Sequence, residues 1–255
     1  MRNVLVLGTS HVGALKQGLD QCLHANANHS FGFDYAAVPL KMFKKFTVVE
    51  SVVRVPNGAI KALKKTYDHG DAIDVMKYDS IVFVHGLSRL DFSLYSSDRM
   101  ISPLSEGLIR EVALHPKEPS LFLDLLNNIP ASKLIYIGSP LISEKTTKKK
   151  QLKRVPLLLK QSQRQKASEI ASLIREACHD SLKDPSIPSY LLPPPEVLTS
   201  SGFNTLDQFI RGGVRYDGRV RTIDNDEDFE DDMVHGNSDY GKRMATVLLN
   251  YLEQL

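Results

Sequence analysis

The chain has 255 residues, of which 42% are hydrophobic and 24% charged, the balance of an ordinary globular protein able to bury a core without staples. Lys and Arg number 32 against 30 Asp and Glu, so the net charge of +2 gives no reason to expect nucleic acid as a partner. Two cysteines, Cys22 and Cys178, are too far apart to form a metal pair and too few for a disulfide framework. No apolar run is long enough for a signal-peptide core or a membrane span, so a cytoplasmic location is expected.

In chain order, Val4-Leu5-Val6-Leu7 ends at Gly8 and reads as a buried strand. Val12, Leu15, Leu19, Cys22 and Leu23 then recur at helical spacing, which predicts a helix beginning near Ser10. Phe33 to Val38 and Val48 to Val55 read as strands, the second stopped by Pro56-Asn57-Gly58, with a helix from Ala59 to about Tyr67. Ile81 to Val84 and Leu134 to Ile137 are continuous apolar runs of the kind found in inner strands of a parallel sheet. Residues 145–166 carry nine Lys or Arg and no acid, and lead into a helix from Gln161 to His179. The Pro193-Pro194-Pro195 run marks a rigid connector, and Thr199 to Arg221 reads as loop-rich covering structure. Residues 224–232 hold seven acids in nine positions. The last helix places Tyr240, Met244, Val247, Leu248, Tyr251, Leu252 and Leu255 on one apolar stripe. The pattern predicts an α/β fold in a single domain spanning 1–255. A basic insertion falls at about 143–166 and a Pro/Gly-rich cover at about 190–222.

Two stretches could carry chemistry. Gly8-Thr9-Ser10-His11-Val12-Gly13 turns from the first strand into the first helix, where parallel sheets bind ligands. A dinucleotide fingerprint needs glycine at the Ser10 position, and a phosphate-binding loop needs Gly-Lys-Ser/Thr where Gly13-Ala14-Leu15 stands. Ser10 can also cap the helix, or act as a nucleophile whose own N–H receives an oxyanion. Asp232-Met233-Val234-His235 precedes the last helix. A serine hydroxyl becomes nucleophilic when an imidazole accepts its proton, and a carboxylate orients that imidazole.

Together these two ends resemble the SGNH (GDSL-type) hydrolases, whose Gly-Asp-Ser block follows strand 1 and whose Asp-x-x-His precedes the last helix. The resemblance runs in order across nearly the whole chain. It implies a three-layer α/β/α, flavodoxin-like fold with a central parallel sheet. It also implies a serine esterase with Ser10 as nucleophile, His235 as general base and Asp232 as its orienting partner. Thr9 stands where the family has Asp, and Ser88, in His85-Gly86-Leu87-Ser88, where it has an oxyanion-donating Asn. The oxyanion donors carried over are the N–H groups of Ser10 and Gly58, with Ser88. His11, Asn57, His85 and Gly86 are candidate substrate contacts. Acetyl esters of a carbohydrate are the preferred substrate, with no cofactor and no metal site expected. An O-acyltransferase would use the same triad, and a non-catalytic module binding a glycan or a protein is the alternative from another class. The basic segment reads either as a solvated loop or as a flap for an anionic polymer or lipid surface. Nothing in the pattern sets the oligomeric state.

Overall fold

A computed structural model describes residues 1–25, 30–84, 90, 105–114, 120–141, 143, 145, 161–222 and 235–255. Strand β1 (Arg2–Gly8) feeds α1 (Val12–Ala25), and β2 (Phe31–Ala37) follows. Next come α2 (Leu40–Phe43), β3 (Thr47–Val49), β4 (Val52–Arg54), α3 (Asn57–Leu63) and β5 (Ala72–Asp74). Strand β6 (Ser80–Val84) precedes α4 (Glu106–Leu114), α5 (Ser120–Asn128) and β7 (Leu134–Ile137). The chain continues through α6 (Gln161–Ser181), β8 (Ser189–Leu191), the pair β9 (Val214–Tyr216) and β10 (Val220–Thr222), and α7 (Ser238–Gln254).

Five strands form one sheet in the order β2-β1-β6-β7-β8, with every neighbouring pair parallel. This is the 2-1-3-4-5 order of doubly wound flavodoxin-like folds, with helices flanking the sheet in a three-layer α/β/α arrangement. Val4 to Leu7, Ile81 to Phe83, Leu134 and Ile135 are fully buried. Burying each such side chain contributes roughly 1.5–3 kcal/mol, so these runs form strands because only a covered sheet hides both faces. Phe83 on β6 stacks on Tyr136 of β7 at 5.9 Å, and Phe122 from α5 and Phe43 from α2 close over Phe83 at 5.1 and 5.6 Å.

The predicted strand over Val48–Val55 is instead a hairpin of β3 and β4, completed by β5 into a small antiparallel sheet. Glu50 and Ser51 turn it with positive φ of 48° and 65°, a conformation that residue types other than glycine rarely advertise. Helix α3 closes at Leu63, short of Tyr67. Leu255 falls outside the buried stripe and is 51% exposed, one residue past the end of α7. Of the basic insertion, residues 146–160 lie outside the described residues, and 161–166 open α6. The covering segment contains β8, 3-10 turns at Pro195–Val197 and Asp207–Phe209, and the β9–β10 hairpin. Among the described residues, no helix is long and apolar enough to cross a membrane.

The contact that matters most is between α1 and α7. A Cβ on Gly18 would lie 2.2 Å from the Gly241 carbonyl oxygen, and one on Gly241 would lie 1.8 Å from that of Ala14. The two helices therefore touch backbone to backbone near their first turns. Arg2 adds a tie, its guanidinium donating to the Leu252 carbonyl at 2.9 Å.

Candidate active site

Ser10 sits in the turn between β1 and α1. The sheet order reverses here, since β2 lies to one side of β1 and β6 to β8 lie to the other. Gly8 ends β1 without a side chain because a Cβ there would lie 2.2 Å from the Val84 carbonyl oxygen. The turn is fixed by backbone bonds. The Thr9 N–H donates to Val84 O at 3.4 Å, and the Val12 and Gly13 N–H groups donate to the Thr9 and Ser10 carbonyls at 3.0 and 3.1 Å.

The Ser10 hydroxyl does not serve the helix as a cap. Its Oγ lies 2.8 Å from His235 Nε2, across 225 residues of sequence. In the neutral imidazole with its proton on Nδ1, Nε2 accepts from the hydroxyl, the arrangement a general base requires. His235 is 7% exposed, so water competes little for that nitrogen. The His11 ring stacks on the His235 ring, with centroids 4.3 Å apart and planes 20° from parallel.

A strand that sequence reasoning missed holds the two loops together. The Tyr216 N–H, at one end of β9, donates to the Ser10 carbonyl at 3.3 Å. The Val214 N–H, at the other end, donates to Gly236 O at 2.9 Å. Gly213 abuts His235 directly, since a Cβ there would lie 3.0 Å from the His235 carbonyl oxygen and 3.1 Å from its Cβ. Asn237 caps α7, its side chain accepting from the N–H groups of Asp239 and Tyr240. The same amide donates to the carbonyls of Gln208 and Arg211 at 2.7 and 2.9 Å. The signal for this cap was present in Gly236-Asn237-Ser238-Asp239, just before an amphipathic run. Below it, buried Asp207 accepts from Ser143 at 3.2 Å and pairs with Arg211 and Lys145 at 3.1 and 3.3 Å.

Tyr216 also packs edge-on against Tyr35, 6.2 Å away. Burial first, then the Asp20 charge, pushes the phenols of both above their ordinary value. They stay neutral through the physiological range.

The other sequence candidates divide in two groups. Asp232, His85, Gly86 and Ser88 lie outside the described residues, although Val84, which precedes His85, ends β6 next to Gly8. Asn57 and Gly58 are described and exposed, and nothing lies within 4 Å of a Cβ built on Gly58. Helix α3 turns its other end to the sheet. Thr66 bonds the N–H and carbonyl of Ala37 at 3.0 and 2.9 Å, and the Lys65 carbonyl meets Gly218. Gly58 thus starts the helix about 10 Å of rise away from that contact, and the described contacts do not bring it to Ser10. Among the described residues, no group of three or more His, Cys, Asp or Glu is arranged to hold a metal ion.

Comparisons with protein-family models, with curated proteins and with solved structures find no match to this chain.

Proposed function

We propose that the protein is a serine esterase of SGNH-like type, acting through an acyl-enzyme. The observation that supports the reading above all others is the 2.8 Å contact between Ser10 Oγ and His235 Nε2. The bond joins a hydroxyl at the mouth of a parallel sheet to a shielded imidazole, the pairing that nucleophilic catalysis needs.

In the proposed reaction Ser10 Oγ attacks the ester carbonyl carbon as His235 Nε2 takes the hydroxyl proton. The tetrahedral intermediate collapses, the C–O bond to the alcohol breaks, and His235 returns the proton to the leaving oxygen. Water then attacks the acyl-Ser10 ester by the same route in reverse. Asp232 orients the His235 Nδ1–H. The Ser10 N–H receives the oxyanion, helped by Ser88 or His85 from the segment after β6. Gly58 is left out of this scheme, since among the described residues no contact ties it to the Ser10 turn. Acetyl groups on a carbohydrate are the preferred substrate, by analogy with the family, and a sugar hydroxyl replacing water would make the enzyme an O-acetyltransferase.

A fluorophosphonate probe tests the proposal. The wild-type protein is expected to be labelled, with labelling lost in Ser10→Ala and reduced about 1,000-fold or more in His235→Ala and Asp232→Ala. Labelling indifferent to Ser10→Ala overturns it. So does a folded wild-type protein that takes no label and hydrolyses no ester in a panel of acyl lengths, a result that favours a glycan- or protein-binding module instead.

A further inference from the structure

We infer that His11 is a positioning residue for His235. Its ring is a flat wall that fixes the plane of the general base, so that Nε2 stays aimed at the Ser10 hydroxyl. The inference rests on the esterase reading for its catalytic consequence, and on the stacked geometry for its structural one.

The last torsion of a histidine side chain is broad and roughly two-fold, so the plane of the ring is set by what surrounds it. Hydrogen bonds at the ring nitrogens act within that plane. To resist rotation out of it, something must lie against the face of the ring. His11 does so, 4.3 Å away and 20° from parallel. That spacing is at the close end of aromatic stacking, where a rotation of either ring meets the other. The backbone side of His235 is bounded by Gly213, with room for no more than a hydrogen at 3.0–3.1 Å. His235 is thereby held between a ring and a strand.

The wall itself is rigid for a reason visible in the turn. His11 follows Ser10 directly, and that turn is closed by the Thr9, Val12, Gly13 and Tyr216 N–H groups. The nucleophile and the wall for its base therefore ride on one piece of backbone. Movement of the turn carries both together, which preserves the angle between hydroxyl and imidazole. A role confined to substrate contact would not require the His11 ring to lie parallel to His235.

The test compares His11→Ala and His11→Phe with wild type in acetyl-ester turnover and fluorophosphonate inactivation, and crystallises His11→Ala. A loss of aim approaching 1 Å lowers kcat and the inactivation rate of His11→Ala by roughly 30- to 100-fold with KM within about twofold. His11→Phe, which restores a flat ring, is expected to regain most of that rate. In crystals of His11→Ala the His235 ring should rotate and its Nε2 move out of hydrogen-bond distance of Ser10. An increase in KM at unchanged kcat makes His11 a substrate contact and overturns the inference. A His235 ring that keeps its plane and its 2.8 Å contact in His11→Ala overturns it too. Wild-type protein that takes no label refutes the esterase reading, and the crystal structure of His11→Ala then decides the positioning role on geometry.

Discussion

Replacing Gly213 by Ala probes whether β9 sets the position of His235. The new methyl carbon would stand 3.0 Å from the His235 carbonyl oxygen and 3.1 Å from its Cβ, where ordinary contact begins at 3.4 Å. Both opposing atoms belong to or adjoin the backbone, and the Val214 N–H bond to Gly236 prevents the strand from backing away. His235 must therefore yield by about 0.4 Å. A 1 Å misplacement of a catalytic group costs about 100-fold, so 0.4 Å scales to roughly sixfold in rate, or about 1.1 kcal/mol of barrier. Stability should fall by about 1 kcal/mol, the lower end for overpacking, because alanine also narrows the unfolded ensemble. The assay is the second-order rate of fluorophosphonate inactivation, with thermal unfolding run alongside. A folded Gly213→Ala protein that reacts as fast as wild type refutes the claim that this contact fixes the base.

Further substitutions separate the supports of the site. Gly241→Val drives a branched side chain into the Ala14 carbonyl and is expected to cost about 3 kcal/mol or more, read as a fall in the urea midpoint. Asn237→Ala removes the cap of α7 and two donors to the 208–211 segment, which should lower stability by about 1–2 kcal/mol and Tm by about 3–6 °C. Asp207→Ala leaves Arg211 and Lys145 without their shared carboxylate. Both cations are more than 60% exposed, so the loss should stay at about 1–2 kcal/mol by calorimetry. Should Asp207→Ala prove neutral, the buried carboxylate is not an anchor for the turn beneath Asn237.

The inner strands were legible because each is a continuous apolar run, which is the cheapest local pattern for a sheet covered on both sides. Strand β8 was not, since Ser189-Tyr190-Leu191 is three residues long and its burial is decided by pairing with β7. The β3–β4 hairpin hid inside one β-branched run because Glu50-Ser51 carries none of the glycine or asparagine that usually marks positive φ. At the site, the two ends of the Ser10–His235 pair could be read from their turns, but not what brings them together. Gly18 and Gly241 look like weak points in two helices when taken singly. Their purpose exists only as a pair, where one backbone lies against the other. The β9 contacts were invisible for the same reason, being made by backbone N–H groups that any residue but proline supplies.

The backbone-to-backbone seating of α1 on α7 has a consequence during synthesis. The seryl turn is translated 225 residues before His235, the imidazole it bonds, which is held in place by the helix that follows it. A nascent chain on the ribosome thus carries an alcohol no more reactive than any other serine. On the proposed reading, esterolytic activity begins only when α7 leaves the exit tunnel and locks home.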